Sequence, residues 1–457
     1  MDHRQSKPGS HAAGRRALLG IAIGGAAGLA GCASLGPDRA DDGDHDADVP
    51  DADEVNETRS DRDDPERERE PDRERERESP VERDDSTNYI FTTEAELARV
   101  RAQANAGHDP WAAAKALLLE DAEDAVTASP VTYDSSDRRG NAPRARRLIR
   151  DAALGYYFTG EDRFAEATID KLHHFLLNEG TSYEPTDPVI PHARIINSIV
   201  IPGLLFAASL VRDHHHWDQL GGTGQIEDWS RTYLQTCQSY TVETYGDERR
   251  LYSYPQNRYE YRILDRLANA AYIDDDDFFD ETITLWKEFH NAKVSFPEAG
   301  ANLAVYPSGR RNDAGRDEGW EYARYGVDAS VSCAEVARHK GYDLYTWQDA
   351  PAAADIVNEH YLGDLAGPLI PRQFRWLNRI FRDPSAWDGG LDATQPPAIE
   401  PMARGVTAYE YGASFFHGHQ IGAAITNVRD EYFERPAFNR KNTGHVTLTH
   451  GDRYELE

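Results

Sequence analysis

The chain has 457 residues, 80 acidic against 50 basic, and a formal net charge of -30 at pH 7. With a balance of that sign and size, no nucleic-acid partner is expected. Three cysteines with no CxxC pair, and no HExxH, exclude a disulfide framework and a motif-borne metal centre.

Residues 1–31 read as an export signal. Arg15-Arg16 stand directly before the apolar run Ile21 to Ala30, which is too short to span a bilayer but suits a signal h-region. Paired arginines there predict twin-arginine export. The run closes in Leu29-Ala30-Gly31-Cys32-Ala33-Ser34, a lipobox-like pattern that makes Cys32 the expected lipidation site and the lipid the expected membrane anchor. Residues 32–87 follow as an acidic tether. Pro37 to Asp85 is nearly free of apolar residues and cannot offset the entropy of ordering.

Acidic residues are dense beyond the tether too, as in Asp274-Asp275-Asp276-Asp277, and lysine is scarce. With the export signal this points to an extreme halophile, exposing the protein at the cell surface. In roughly 1 M salt the Debye length is about 3 Å, so the charge does not exclude a polyanionic ligand.

From 88 to 457 the chain reads as one domain, and its first two-thirds predict helix after helix. Apolar spacing marks Glu94–Ala104, Pro110–Ala125, Arg144–Phe158 and Asp162–Leu177, then Pro191–Val211, Gln225–Glu243, Tyr261–Ile273, Asp277–His290 and Tyr325–Lys340. Asp276 and Asp277 suit a helix start, and Gly341 suits a helix end. His214-His215-His216 point different ways on any one element and read as a solvated loop. Cys237 and Cys333 are either a disulfide or two free thiols. Strand signals come late, at Thr407 to Phe416 and His445 to Leu448. There is no glycine-rich phosphate loop, no GxSxG and no βαβ alternation. The fold class expected is mainly α, an incomplete α/α toroid of antiparallel helix hairpins with minor β structure near the C-terminus; an open helical bundle competes.

Three stretches are similar to the alginate lyase family of α/α-toroid polysaccharide lyases. The first is Ala152-Ala153-Leu154-Gly155-Tyr156-Tyr157-Phe158-Thr159-Gly160, running on to Phe164-Ala165, where the family joins two helices. The second is Tyr254-Pro255-Gln256-Asn257-Arg258-Tyr259, in the place of the family's Asn-Asn-His. The third runs from Pro307-Ser308-Gly309 through Arg316-Asp317-Glu318-Gly319-Trp320-Glu321-Tyr322 to Gly341-Tyr342-Asp343-Leu344-Tyr345. Together they span roughly residues 90–350. The resemblance implies β-elimination of a uronate polymer such as alginate, with no obligatory metal or other cofactor. A monomer is expected.

That chemistry needs a partner for the uronate carboxylate, a base for the proton beside it, and an acid for the leaving oxygen. By resemblance, Tyr322 takes the place of the catalytic tyrosine, Arg316 lies near the family's arginine, and Asn257 neutralises the carboxylate. Arg258 stands where the family has histidine, and a guanidinium cannot serve as a base. It takes over charge neutralisation and leaves Tyr322 as base and acid, or His192 enters from another helix, or activity is lost. His192, Arg324, Tyr325, Trp320 and Tyr259 are the expected substrate-binding residues, with Tyr254 and Tyr261 as further sugar-stacking candidates. Two rival readings remain. One is an α/α-barrel glycoside hydrolase using carboxylates among Asp317, Glu318, Glu321 and Asp328. The other is a non-catalytic module holding acidic glycans on Arg258, Arg310, Arg311, Arg316 and Arg324.

Overall fold

A computed structural model describes residues 87–134, 138–178, 191–238, 255–294, 303–315, 319–350, 367–387, 406–433, 436 and 442–451. The expected signal, Cys32 and the tether through residue 86 lie outside the described residues, as do Tyr254, Arg316, Asp317 and Glu318. For His192 and Cys237 the helix is described but not the side chain.

Among the described residues the chain forms α1 (Glu94–Asn105), α2 (Trp111–Thr127), α3 (Arg138–Thr159), α4 (Asp162–Leu172), α5 (Pro191–Leu210), α6 (Gly224–Gln238) and α7 (Asn257–Tyr272). It continues with α8 (Asp276–His290), α9 (Gly319–His339), α10 (Leu369–Arg382), α11 (Val406–Phe415), α12 (Gln420–Tyr432) and α13 (Val446–His450). Local chemistry sets several ends. Thr93 and Glu96 close a reciprocal capping box at α1, the Thr93 amide donating to Glu96 Oε2 at 2.9 Å. At α8 the cap is Asp275, one residue before the pair expected, and Asp276 and Asp277 occupy the first turn. Past α9, Gly341 takes the left-handed conformation (φ 88°) that suits glycine at a helix end.

Two helices start earlier than their apolar spacing predicts, and both differences matter. α7 begins at Asn257 rather than Tyr261, and α9 at Gly319 rather than Tyr325. Asn257, Tyr322 and Arg324 are therefore helical, with fixed directions relative to one another.

The late strand signals are corrected. Thr407 to Phe416 lies almost wholly in α11, and His445 to Leu448 leads into α13. Among the described residues, β pairing is limited to isolated bridges, Asn88 with Thr93 and Val305 with Arg311. Packing overrides β-propensity at α11: a Cβ on Gly412 would stand 2.6 Å from Phe374 Cζ, so α10 approaches as closely as a helix carrying glycine allows.

The helices pack in two layers. α3 lies on α5, α5 on α7, α7 on α9 and α9 on α11, while α2, α4, α6, α8, α10 and α12 back against this inner series. α13 contacts α11, α1 and α2, and α2 lies on α3, so the series of contacts returns to its start. That is an α/α toroid. Its core runs between the layers and holds Leu204, Leu205, Phe206, Trp286 and Trp376 with almost no exposure. Burying one such apolar side chain contributes roughly 1.5–3 kcal/mol. None of the described helices is long and apolar enough to cross a membrane.

Candidate active site

The candidate residues converge where the N-terminal ends of α7 and α9 meet the loop of residues 303–315. Asn257 is the first residue of α7, and the preceding Gln256 offers no side-chain cap. The cap comes instead from the loop. The backbone amide of Asn257 donates to both carboxylate oxygens of Asp313, at 3.0 and 3.1 Å. The Asn257 side chain then donates from Nδ2 to the backbone carbonyl of Tyr322 at 3.2 Å. The second and third stretches of the resemblance therefore touch.

Beneath them lies a buried charged hub. Arg311 is fully buried and bonds Glu260 through Nη2 (2.8 Å), Ser330 and Gln373 through Nη1 (3.0 and 2.9 Å), and Asp313 through Nε (3.3 Å). Glu260 also meets His290 Nε2 at 2.9 Å and the Ser330 hydroxyl at 2.5 Å. Burial pushes the Glu260 carboxyl up, but Arg311 and then His290 overcome it and hold it down at about 2. Gly326 makes the space: a Cβ there would stand 2.0 Å from Arg311 Nε. Gly309 (φ 88°) makes the matching turn against α10, where a Cβ would meet the Arg372 carbonyl oxygen at 2.1 Å. The hub fixes Asp313, Asp313 fixes Asn257, and Asn257 is tied to Tyr322.

On α9, the two faces separate the candidates. Tyr322 and Tyr325, three residues apart, are partly exposed, with ring centroids 6.4 Å apart. Arg258, next to Asn257, is also partly exposed. Trp320 and Arg324 lie on the other face. Trp320 packs edge-on to Phe381 and Trp387, and the Arg324 guanidinium stands 5.2 Å from its ring centroid.

Several expectations are corrected by burial. Trp320 (1% exposed) and Arg324 (2%) belong to the core, so neither offers a face to a sugar. Tyr259 stacks on Phe289 of α8 with centroids 5.1 Å apart, and Tyr261 is buried with its phenol pushed well above the usual range by desolvation. Arg310 and Arg311 are buried as well, so they line no groove, which removes most of the cationic surface the binding-module reading needs. Asp328 is buried and caps α11, accepting from the Ala408 amide at 3.0 Å, which removes one of the hydrolase carboxylates. Cys333 is a buried free thiol against the Glu260 carbonyl. His214 is buried rather than solvated: His214 and His216 pair with Asp162 and Asp170 of α4 at 3.3 and 2.9 Å, and the His216 amide donates to His214 Nδ1 at 3.3 Å.

Glu260, Asp313 and His290 were not singled out from sequence. One signal was available for Glu260: a carboxylate set between Tyr259, Tyr261, Ile263 and Leu264 on a buried helix requires an internal partner.

A family model described as alginate lyase matches residues 93–359, more than half of the chain. Among solved structures, an alginate lyase from Bacteroides ovatus superposes with a TM-score of 0.60 at 16% identity, covering 81% of this chain and 100% of that one. Alginate lyase A1-III from Sphingomonas species A1 gives 0.56 at 13% identity, covering 83% and 99%. A variant of A1-III complexed with a tetrasaccharide gives 0.57 at 13% identity, with the same coverage. At these identities the structural likeness establishes the toroid. No curated protein matches the chain.

Proposed function

Since the chain belongs to the alginate lyase family, we propose that its α7–α9 site carries out β-elimination on alginate with Tyr322 as base and acid and Asn257 and Arg258 on the uronate carboxylate. The enzyme is a polysaccharide lyase acting on alginate. The hydrogen bond from Asn257 to the Tyr322 carbonyl carries the assignment of roles, because it holds the buried Asn257 (4% exposed) against the partly exposed Tyr322, 65 positions away in sequence.

The Asn257 amide nitrogen has two hydrogens. One is held by the Tyr322 carbonyl, and the other is left to donate to a substrate carboxylate. The Arg258 guanidinium adds charge-assisted donors from the adjacent position. Neutralising the carboxylate acidifies the neighbouring carbon–hydrogen bond. The Tyr322 oxygen takes that proton; the electron pair forms the carbon–carbon double bond as the glycosidic carbon–oxygen bond breaks. The same phenol returns its proton to the leaving oxygen, so proton and leaving group depart from one face. Arg258 removes the histidine base found in the family, which concentrates both proton transfers on Tyr322. Tyr325 stands beside it as the partly exposed aromatic suited to a sugar ring.

The test is ultraviolet absorbance of the unsaturated uronate product on mixing the chain with alginate in high salt. A rise that Tyr322→Phe abolishes and Arg258→Ala weakens supports this assignment. A Tyr322→Phe variant of full activity refutes it.

The setting is also part of the reading. Arg15-Arg16 and Leu29-Ala30-Gly31-Cys32 support a lipid-anchored enzyme exported by the twin-arginine route, standing off the surface on residues 32–87 and working in concentrated salt. Cys32→Ser is expected to release the enzyme into the medium; retention on the membrane would refute the anchor.

A further inference from the structure

Outside this site, three ligating side chains from α2, α3 and the segment before α13 meet at one point. Asp121, Asp151 and His445 each bring one ligand atom, all within 4.8 Å of one another. His445 Nε2 stands 3.3 Å from Asp121 Oδ2 and 3.8 Å from Asp151 Oδ1. The shorter separation fits two ligands on one ion, since donors held at about 2.0–2.1 Å in a tetrahedron stand roughly 3.3–3.4 Å apart, and the 3.8 Å separation lies a few tenths of an ångström beyond that. We propose that Asp121, Asp151 and His445 bind a zinc-class divalent cation that fastens the C-terminal segment to α2 and α3.

The donor set selects the ion. One imidazole nitrogen with two carboxylates suits zinc and its neighbours, whereas calcium and magnesium favour oxygen alone. Arg150 holds the Asp151 carboxylate through Oδ1, the oxygen 3.8 Å from His445, with Nε and Nη2 at 3.1 and 3.0 Å. Such support orients a ligating carboxylate. Its charge also opposes a cation, so the imidazole is the donor on which retention depends. Asp121 has a side chain 34% exposed, which gives the ion a way in, while Asp151 and His445 are almost wholly buried.

The role follows from what the segment touches. Residues 442–451 reach into the toroid. Asn442 donates to Ser332 of α9 at 2.8 Å, His450 meets the Phe91 carbonyl at 2.8 Å, and Trp111 Nε1 donates to the Gly451 carbonyl at 2.9 Å. An ion at His445 would add a second tie to α2 and one to α3, and a ligand that binds only the folded state stabilises it by mass action.

The test uses the full chain, stripped with a chelator and equilibrated with zinc chloride in molar sodium chloride, which suppresses loose binding to the acidic surface. Elemental analysis after dialysis is expected to find about one zinc per chain. Zinc at a hundredfold excess over its Kd is expected to raise the melting temperature by on the order of 3–5 °C. Both effects are expected to vanish in Asp121→Asn and in His445→Gln. Asp121 is the less buried position, so its variant keeps the test decisive if His445→Gln fails to fold. No zinc retained by the wild type, or equal retention and equal stabilisation in Asp121→Asn, overturns the proposal.

Discussion

The carboxylate of Asp313 caps the backbone amide of Asn257 across 56 positions of sequence, with both oxygens within 3.1 Å of the nitrogen. A helix whose own N-cap residue makes no cap is thus started by a loop, and the loop is held by Arg311. Removing an N-cap acceptor costs about 0.5–2 kcal/mol. Asp313→Ala is expected to lower the melting temperature modestly and the rate of unsaturated-product formation at least tenfold, because Asn257 loses its fixed position. Asp313→Asn retains one acceptor oxygen and is expected to lose less of both. Equal activity of Asp313→Ala and wild type would sink the positioning role.

The Arg311–Glu260 pair has no exposed edge on either side chain. Breaking a buried pair from one side leaves a charge uncompensated and costs about 3–5 kcal/mol. Arg311→Met is expected to destabilise by that order, and Arg311→Met with Glu260→Gln to recover part of it in chemical denaturation. The pH dependence has a definite sign. Glu260 is held at about 2 against 4.5 for the free side chain. Its contribution, on the order of 3 kcal/mol, is complete above pH 4.5 and lost as pH falls through 2. An acid limb of the stability profile that is unchanged in the double variant would refute this.

The individual helices were legible because their apolar residues repeat at the helical period, as Phe164, Ala165, Ile169, Leu172 and Leu176 do. Asn257 and Tyr322 were legible only through resemblance, since an isolated Asn or Tyr carries no period. The hub was not legible: Glu260, Ser330 and Gln373 come from α7, α9 and α10, and only the packing of these helices brings them onto Arg311. The aromatic expectations failed for a related reason. Trp320 and Tyr322 are two residues apart, so once α9 extends back to Gly319 they point in different directions, one into the core and one partly to solvent. Thr407 to Phe416 misled because β-branched and aromatic residues also fill a buried helix when Gly412 lets Phe374 close in.

Gly326 sets two effects of opposite sign against each other. Alanine is favoured over glycine inside a helix by about 1 kcal/mol. The added Cβ of Gly326→Ala, however, would stand 2.0 Å from Arg311 Nε and 2.3 Å from Cζ, in a guanidinium held by four partners. Overpacking of that kind costs about 1–3 kcal/mol. The clash is expected to win, so Gly326→Ala melts lower and loses activity with Arg311 displaced. A higher melting temperature with activity intact would show that the hub yields freely.

Asp265 makes the opposite pH prediction to Glu260. It lies buried in α7, accepting from Tyr233 at 2.5 Å and from Asn269 Nδ2 at 2.9 Å. Desolvation outweighs the hydrogen bonds from Tyr233, Ser198 and Asn269, and pushes the carboxyl up from 3.8 to about 7. The folded state therefore binds this proton more tightly than the unfolded chain. The resulting stability is complete below pH 3.8 and is lost as pH rises through 7, by an amount on the order of 4 kcal/mol. Asp265→Asn cannot ionise and keeps an acceptor for Tyr233. Denaturant titrations from pH 5 to pH 9 are expected to show wild type losing stability relative to Asp265→Asn across that range, with the difference flattening above pH 8. A difference independent of pH would mean that Asp265 titrates outside this window and that burial does not dominate its environment.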